Sequence, residues 1–212
     1  MSKVKARIIR FLVFGSLALF LTGAYVLVSG PPHPPKDGTH QSTQSVAGVK
    51  IGGPYNLTDH TGQSVTEKDF QDKYKLIYFG FTYCPAVCPT ELQKMAKALD
   101  TLGPVAKEIH PLFITVDPER DTVEVMAQYV AHFHPDLIGL TGTPKQIQDV
   151  LKSYKIYAAK VKDEDATDYT MDHSSFIYLM SPDDKLLHIF RTQDSAEDIA
   201  GTTRSILSEA QG

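Results

Sequence analysis

The sequence predicts an α/β protein: a mixed sheet flanked by helices, preceded by an apolar N-terminal membrane anchor. Three observations predict it. Beyond residue 49, short β-branched and aromatic runs alternate with helical patterns and close with a hairpin and a helix. The chain has two cysteines in 212 residues, Cys84 and Cys88, and they stand between a strand-like run and a helix-like run. The first thirty residues carry four basic groups, no acid, and a long apolar stretch.

Lys3, Lys5, Arg7 and Arg10 precede an uncharged run over 11–30 dominated by Leu, Phe, Val and Ala. About 20 apolar residues span a bilayer. A cleaved signal peptide has a shorter apolar core and a small-x-small cleavage site, and no clear one follows Val28. No cysteine closes the run, which removes a lipoprotein. Residues 1–30 therefore read as an uncleaved, single-pass anchor in the inner (cytoplasmic) membrane. By the positive-inside tendency its basic end is cytoplasmic and the C-terminal domain is periplasmic. Residues 31–48, rich in Pro, Gly, Ser, Thr and Gln, read as a flexible tether. His33 and His40 fall in it as solvated residues. Residues 49–212 suffice for one packed domain, with no internal repeat. Setting aside the four N-terminal basic residues leaves 17 Lys+Arg against 25 Asp+Glu, about −8. That argues against nucleic acid as a partner.

The elements follow in order. Residues 52–63 alternate and turn like a hairpin, with the turn at 59–62 and His60 at its tip. An apolar run over 75–81 predicts a buried strand. A helix follows the cysteines from Pro89 to about 102, with Cys88 as its N-cap, because proline is favoured at the first helical position. A second β-branched strand covers 110–116. Asp121 and Glu124 resemble a capping box opening a helix to about 132. A short strand covers 137–140, and a helix entered through Pro144 runs to 154. Strands over 175–180 and 186–190 flank the turn at 181–184. A helix over 195–209 closes the domain. Strands and helices in this order predict a mixed sheet covered on both faces. With a dithiol at the end of the first central strand, the layout is thioredoxin-like.

The cysteine loop reads Cys84-Pro85-Ala86-Val87-Cys88-Pro89. Thiols at a helix N-terminus ionise readily, because the helix end carries partial positive charge. The thiolate is both a nucleophile and a soft-metal ligand. Cys84 and Cys88 are therefore candidates both as a redox dithiol and as metal ligands. Three intervening residues, against two in thioredoxins, suit two sulfurs converging on one ion and still permit a disulfide. A static pair of structural thiols is the bland alternative. A stable metal site needs a third donor. His173 precedes the strand over 175–180, where a thioredoxin-like layout brings the chain beside the cysteine loop. Thioredoxins carry a proline there, and this chain does not. Two thiolates and one imidazole match copper; zinc would want a fourth ligand. Met171 is a weak axial candidate, with packing as its main role.

Particular stretches carry a family resemblance: 79–85 with Cys88-Pro89-Thr90, then Val116-Asp117-Pro118-Glu119-Arg120-Asp121-Thr122, then Leu140-Thr141-Gly142-Thr143, then Asp172-His173-Ser174 before Ile177. In order and spacing, from about Gly53 to the last helix, they resemble the Sco/SenC family, membrane-anchored copper chaperones for cytochrome c oxidase assembly. The resemblance implies copper bound by Cys84, Cys88 and His173, as Cu(I) with Cu(II) as the other candidate state. It also implies delivery to the dinuclear copper centre of the oxidase, or maintenance of that centre's thiols. The implied partner is the oxidase's copper-bearing subunit, with other periplasmic copper chaperones and thiol reductants as further candidates. One departure is Ala86, where the family often has an acidic residue. Asp117 is implied to lie near the metal loop, in a supporting or docking role. The acidic stretch 162–168 reads as solvated surface.

Two rival functions remain. A thiol-disulfide oxidoreductase without a metal role needs Cys84 and Cys88 but not His173. A thiol peroxidase places Thr three residues and Pro seven residues before its reactive cysteine. Here Phe81 and Ile77 hold those positions, and Thr82 is one residue out of place.

Overall fold

The computed structural model describes residues 50–162 and 168–210. The predicted anchor, 1–30, and the predicted tether, 31–48, lie outside the described residues. Among the described residues, no helix is long and apolar enough to cross a membrane.

Among the described residues there are nine strands and four α-helices. In chain order they are β1 (Asn56–Asp59), β2 (Ser64–Thr66), β3 (Tyr74–Gly80), α1 (Val87–Leu102), β4 (Ile109–Thr115), α2 (Val123–Val130) and β5 (Ile138–Thr141). Then come α3 (Pro144–Tyr154), β6 (Ala158–Lys162), β7 (Tyr169–His173), β8 (Phe176–Met180), β9 (Leu186–Arg191) and α4 (Ala196–Glu209). Seven strands make one mixed sheet in the order β2-β1-β5-β4-β3-β8-β9. Strand β3 pairs parallel with β4, and β4 parallel with β5, while β8 runs antiparallel to β3.

The sheet is covered on both faces, as the sequence predicts. Consecutive residues of a strand point to opposite faces. In β3, Phe79 meets Tyr154 of α3, with ring centroids 5.3 Å apart. Tyr78 and Gly80 face the other way, toward Cys88 of α1. Six of the seven β3 residues are buried, which is why this strand reads as a continuous apolar run. Lys75 is the exception in kind. It is fully buried, and its Nζ binds Asp184 Oδ1 at 2.6 Å and the Pro182 carbonyl at 3.1 Å. Asp184 can answer it because the β8–β9 turn holds that residue at φ 61°.

Two local expectations are corrected, and one ribbon is added. Helix α1 begins at Val87, with Ala86 rather than Cys88 at the N-cap. Pro89 is thus the third helical residue. The first turn has no intrahelical acceptors for its N–H groups, so a proline there forfeits no bond. The cap of α2 is Thr122, whose side chain accepts from Val125 N–H, and not Asp121. Asp121 is fully buried and serves other donors. Finally, β6 and β7 form a two-stranded antiparallel ribbon that pairs with no strand of the main sheet. Its strands are short, half-exposed and charged, so no apolar alternation announces them.

Candidate dithiol and metal site

Gly80 ends β3 directly beneath the site. A Cβ there would meet Cys88 Sγ at 3.0 Å, Tyr78 Cε1 at 2.9 Å and the Phe113 ring at 3.0 Å. Glycine is what lets the second thiol sit down on the sheet. The chain then leaves the strand through Phe81 to Ala86. Asp121 holds this exit: its carboxylate accepts from Thr82 N–H at 3.1 Å, Thr82 Oγ1 at 2.6 Å and Thr115 Oγ1 at 2.5 Å. Burial pushes the Asp121 carboxyl above the usual carboxylate range, against these hydrogen bonds.

Both cysteines are free thiols, Cys88 fully buried and Cys84 half-buried. Cys84 Sγ accepts the N–H of Cys88 at 3.4 Å, so the sulfur itself caps helix α1, a task the Ala86 side chain cannot perform. The Cys84 thiol is brought down to about 5, first by the hydrogen bond from the Cys88 thiol and then by the N–H groups of Cys88, Ala86 and Val87. Cys88 moves the other way, because it donates to Cys84 and is buried. The two thiols are thus shifted in opposite directions, Cys84 down and Cys88 up. Only a thiolate alkylates. Iodoacetamide is expected to modify Cys84 and spare Cys88, with the rate rising as pH passes about 5. Peptide mapping with a rate–pH profile checks this. Modification of Cys88 first, or a midpoint near the ordinary thiol value, contradicts it.

His173 closes β7, and its Nε2 lies 3.5 Å from Cys88 Sγ. Its Nδ1 is 2.9 Å from the Ser174 carbonyl. A carbonyl only accepts, so Nδ1 carries the proton and Nε2 offers a lone pair to the thiols. The ring is edge-on to Phe81 and to Tyr78, at centroid distances of 5.8 and 6.4 Å. The Cys88 proton thus has two acceptors in reach, Cys84 Sγ and His173 Nε2. A zinc-sized first-row ion, with bonds of about 2.3 Å to sulfur and about 2.0 Å to nitrogen at a tetrahedral angle, separates S and N by about 3.5 Å. The Cys88–His173 spacing matches that bite. Among the described residues, no three His, Cys, Asp or Glu side chains already stand in closed ligand geometry. Cys84 Sγ is instead engaged by the Cys88 N–H at the helix end.

The remaining candidates divide. Met171 is half-buried and packs against the core. Asp117 is buried, ion-paired with Arg120 Nε and accepting from Tyr169 OH at 2.8 Å. Ala86 is exposed at the helix cap. His60 is more than a turn residue: its Nδ1 accepts from Gly139 N–H at 3.1 Å and ties β1 to β5. His33 and His40 lie outside the described residues, as do residues 163–167 of the acidic stretch. Sequence reasoning missed Thr82, Arg120, Asp121 and Tyr169 as parts of the site's frame. The run 116–122 was the available signal, but it does not say which side chain reaches which loop.

A sheet of this order, with an acidic thiol at the helix after its central strand and an imidazole beside the partner thiol, defines a thioredoxin-like dithiol protein. The SCO1/SenC family model matches residues 43–208. The chain belongs to that family. It is 44% identical over 154 residues to Protein sco1 of Schizosaccharomyces pombe, covering 71% of this chain and 59% of that protein. The chain thus spans about three fifths of that relative's length. The crystal structure of Arabidopsis thaliana ScoI with copper bound superposes with TM-score 0.71 at 42% identity, over 75% of this chain and 99% of that one. BsSco, a member of the Sco family of cytochrome c oxidase assembly proteins in which a disulfide switch is identified, superposes with TM-score 0.57 at 25% identity, over 72% and 91%.

Proposed function

We propose that this chain is a copper chaperone whose cargo ion is held by Cys84, Cys88 and His173 and which serves cytochrome c oxidase assembly. The observation that carries the reading is the bare Nε2 of His173 set 3.5 Å from Cys88 Sγ, at the spacing two ligands of one ion adopt. The copper-bound Arabidopsis relative supports the choice of metal, and soft sulfur with imidazole suits copper. Cys84, the more exposed and more acidic thiolate, is the donor a partner can reach first. Handover to the copper-bearing subunit of the oxidase would begin by exchange at that sulfur.

The same asymmetry favours a second reading, thiol-disulfide exchange. Cys84 would attack a partner disulfide and Cys88 would resolve the mixed disulfide, leaving this chain oxidised and the partner reduced. Copper needs both sulfurs as thiolates, and a disulfide offers neither. Titrating Cu(I) into the reduced and disulfide forms of the full chain tests the chaperone reading. One ion bound by the reduced form and none by the oxidised form is expected. Equal binding by both forms would place copper elsewhere.

The basic, apolar N-terminus supports an inner-membrane anchor with the domain in the periplasm. The full chain is then expected to stay in the membrane pellet after carbonate extraction, and its release would remove the anchor.

A further inference from the structure

His173 sits at the end of a ribbon that the main sheet does not hold. A two-stranded hairpin is at best marginally stable alone. After His173 the chain enters β8 of the main sheet three residues on, which holds that end; side-chain contacts have to set how the rest of the ribbon lies. The geometry points to Arg120 as the positioning residue that fixes the histidine ribbon against the thiol loop, an inference that rests on His173 being a ligand. Arg120 Nη1 donates to the Tyr169 carbonyl at 2.8 Å, at the first residue of β7. Its guanidinium carbon lies 3.9 Å from the Tyr169 ring centroid and 4.7 Å from that of Tyr83, the residue before Cys84. One planar cation is thus stacked between the ribbon and the cysteine loop.

Arg120 is itself anchored. Its Nε binds Asp117, which is buried and also accepts from Tyr169 OH. The turn is closed by Arg120 N–H and Asp121 N–H, both donating to the Asp117 carbonyl, at 3.2 and 3.0 Å. The next residue, Asp121, holds Thr82 at the root of the thiol loop. A single turn therefore braces both halves of the site, one by Asp121 and the other by Arg120. The ribbon's other cation is more exposed: Lys160 pairs with Glu119 at 2.6 Å with both side chains about half in solvent, and such pairs contribute little. Lysine cannot replace Arg120, because an ammonium has neither the fork nor the flat face.

The test uses Arg120→Lys, which keeps a cation for Asp117, with Arg120→Ala as the second variant, in the detergent-solubilised full chain. In the metal-free protein, histidine-labelled NMR reads the His173 ring, whose signals are shifted by Phe81 and Tyr78. Both variants are expected to move those signals toward solvent values while the thermal transition of Arg120→Lys stays near wild type. In the copper-loaded protein, Cu(II) affinity is expected to fall roughly tenfold or more, the usual effect of losing a ligand's support. Cu(I) affinity should change less, and nitrogen coupling should leave the Cu(II) electron paramagnetic resonance spectrum. Adding Arg120→Lys to His173→Ala should cost nothing further. An unshifted ring in both variants, or additive losses in the double variant, overturns the proposal. If His173→Ala itself leaves copper binding unchanged, the ligand reading fails, and the metal-free NMR comparison still decides whether Arg120 positions the ring.

Discussion

Replacing Cys84 or Cys88 with serine is expected to abolish tight copper binding, whereas His173→Ala weakens it selectively. In the proposed site each thiolate would be a ligand that a hydroxyl does not replace for a soft ion. Without the imidazole, two thiolates still hold Cu(I) in two-coordinate fashion, while Cu(II) prefers more donors and some nitrogen. The loss on His173→Ala is therefore larger for Cu(II) than for Cu(I). The fold is expected to survive, because His173 ends a peripheral ribbon and, among the described residues, Nε2 bonds the Cys88 thiol alone. Competition titrations with chelators for each oxidation state measure the split. Unchanged affinity for both ions in His173→Ala would remove the histidine from the site and leave the thiol-disulfide reading in its place.

The largest expected loss of stability is at Asp121. Its carboxylate takes three buried or half-buried donors from Thr82 and Thr115, and its own carbonyl takes Thr141 Oγ1 at 2.6 Å. Orphaning a buried donor costs about 1–3 kcal/mol. Asp121→Ala orphans several at once and is expected to cost on the order of 3 kcal/mol or more. Chemical denaturation measures it. The thiol loop should loosen at the same time, because Thr82 is two residues from Cys84, so the alkylation contrast between Cys84 and Cys88 should narrow. A loss below about 1 kcal/mol, the net worth of one ordinary hydrogen bond, would show that the carboxylate is not the brace. Asp121→Asn keeps the shape and one acceptor oxygen, and is expected to fall between.

Much of this was legible in the linear chain because it depends on local rules. The continuous apolar run at β3 marked a strand buried on both faces. Pro144 after Thr143 marked the start of α3, where Thr143 and Gln146 form the capping box. The sheet, its helical cover and the strand–thiol–helix junction followed from such patterns. The exact helix starts did not. Whether Cys88 or Ala86 caps α1 depends on where the Cys84 sulfur lies, and whether Asp121 or Thr122 caps α2 depends on which side chain a distant loop claims. The β6–β7 ribbon was not legible, since its strands are half-exposed and charged, with no continuous apolar face.

Local patterns along the chain were enough for the sheet with its helical cover, the position of two thiols at a helix start, and a histidine near the following strand. Those follow from periodicity, helix-end electrostatics and the order of elements. The folded packing turns Nε2 of His173 toward Cys88 while Nδ1 faces the Ser174 carbonyl. It alone set a half-buried Cys84, with a helix N–H at its sulfur, apart from a buried Cys88, and it alone made Arg120 the link between ribbon and loop. These are outcomes of hydrogen-bond partners that lie far apart in the chain, 85 residues for Cys88 and His173 and 49 for Arg120 and Tyr169. Partners at such separations are chosen by the packing of the whole sheet, which no local pattern encodes.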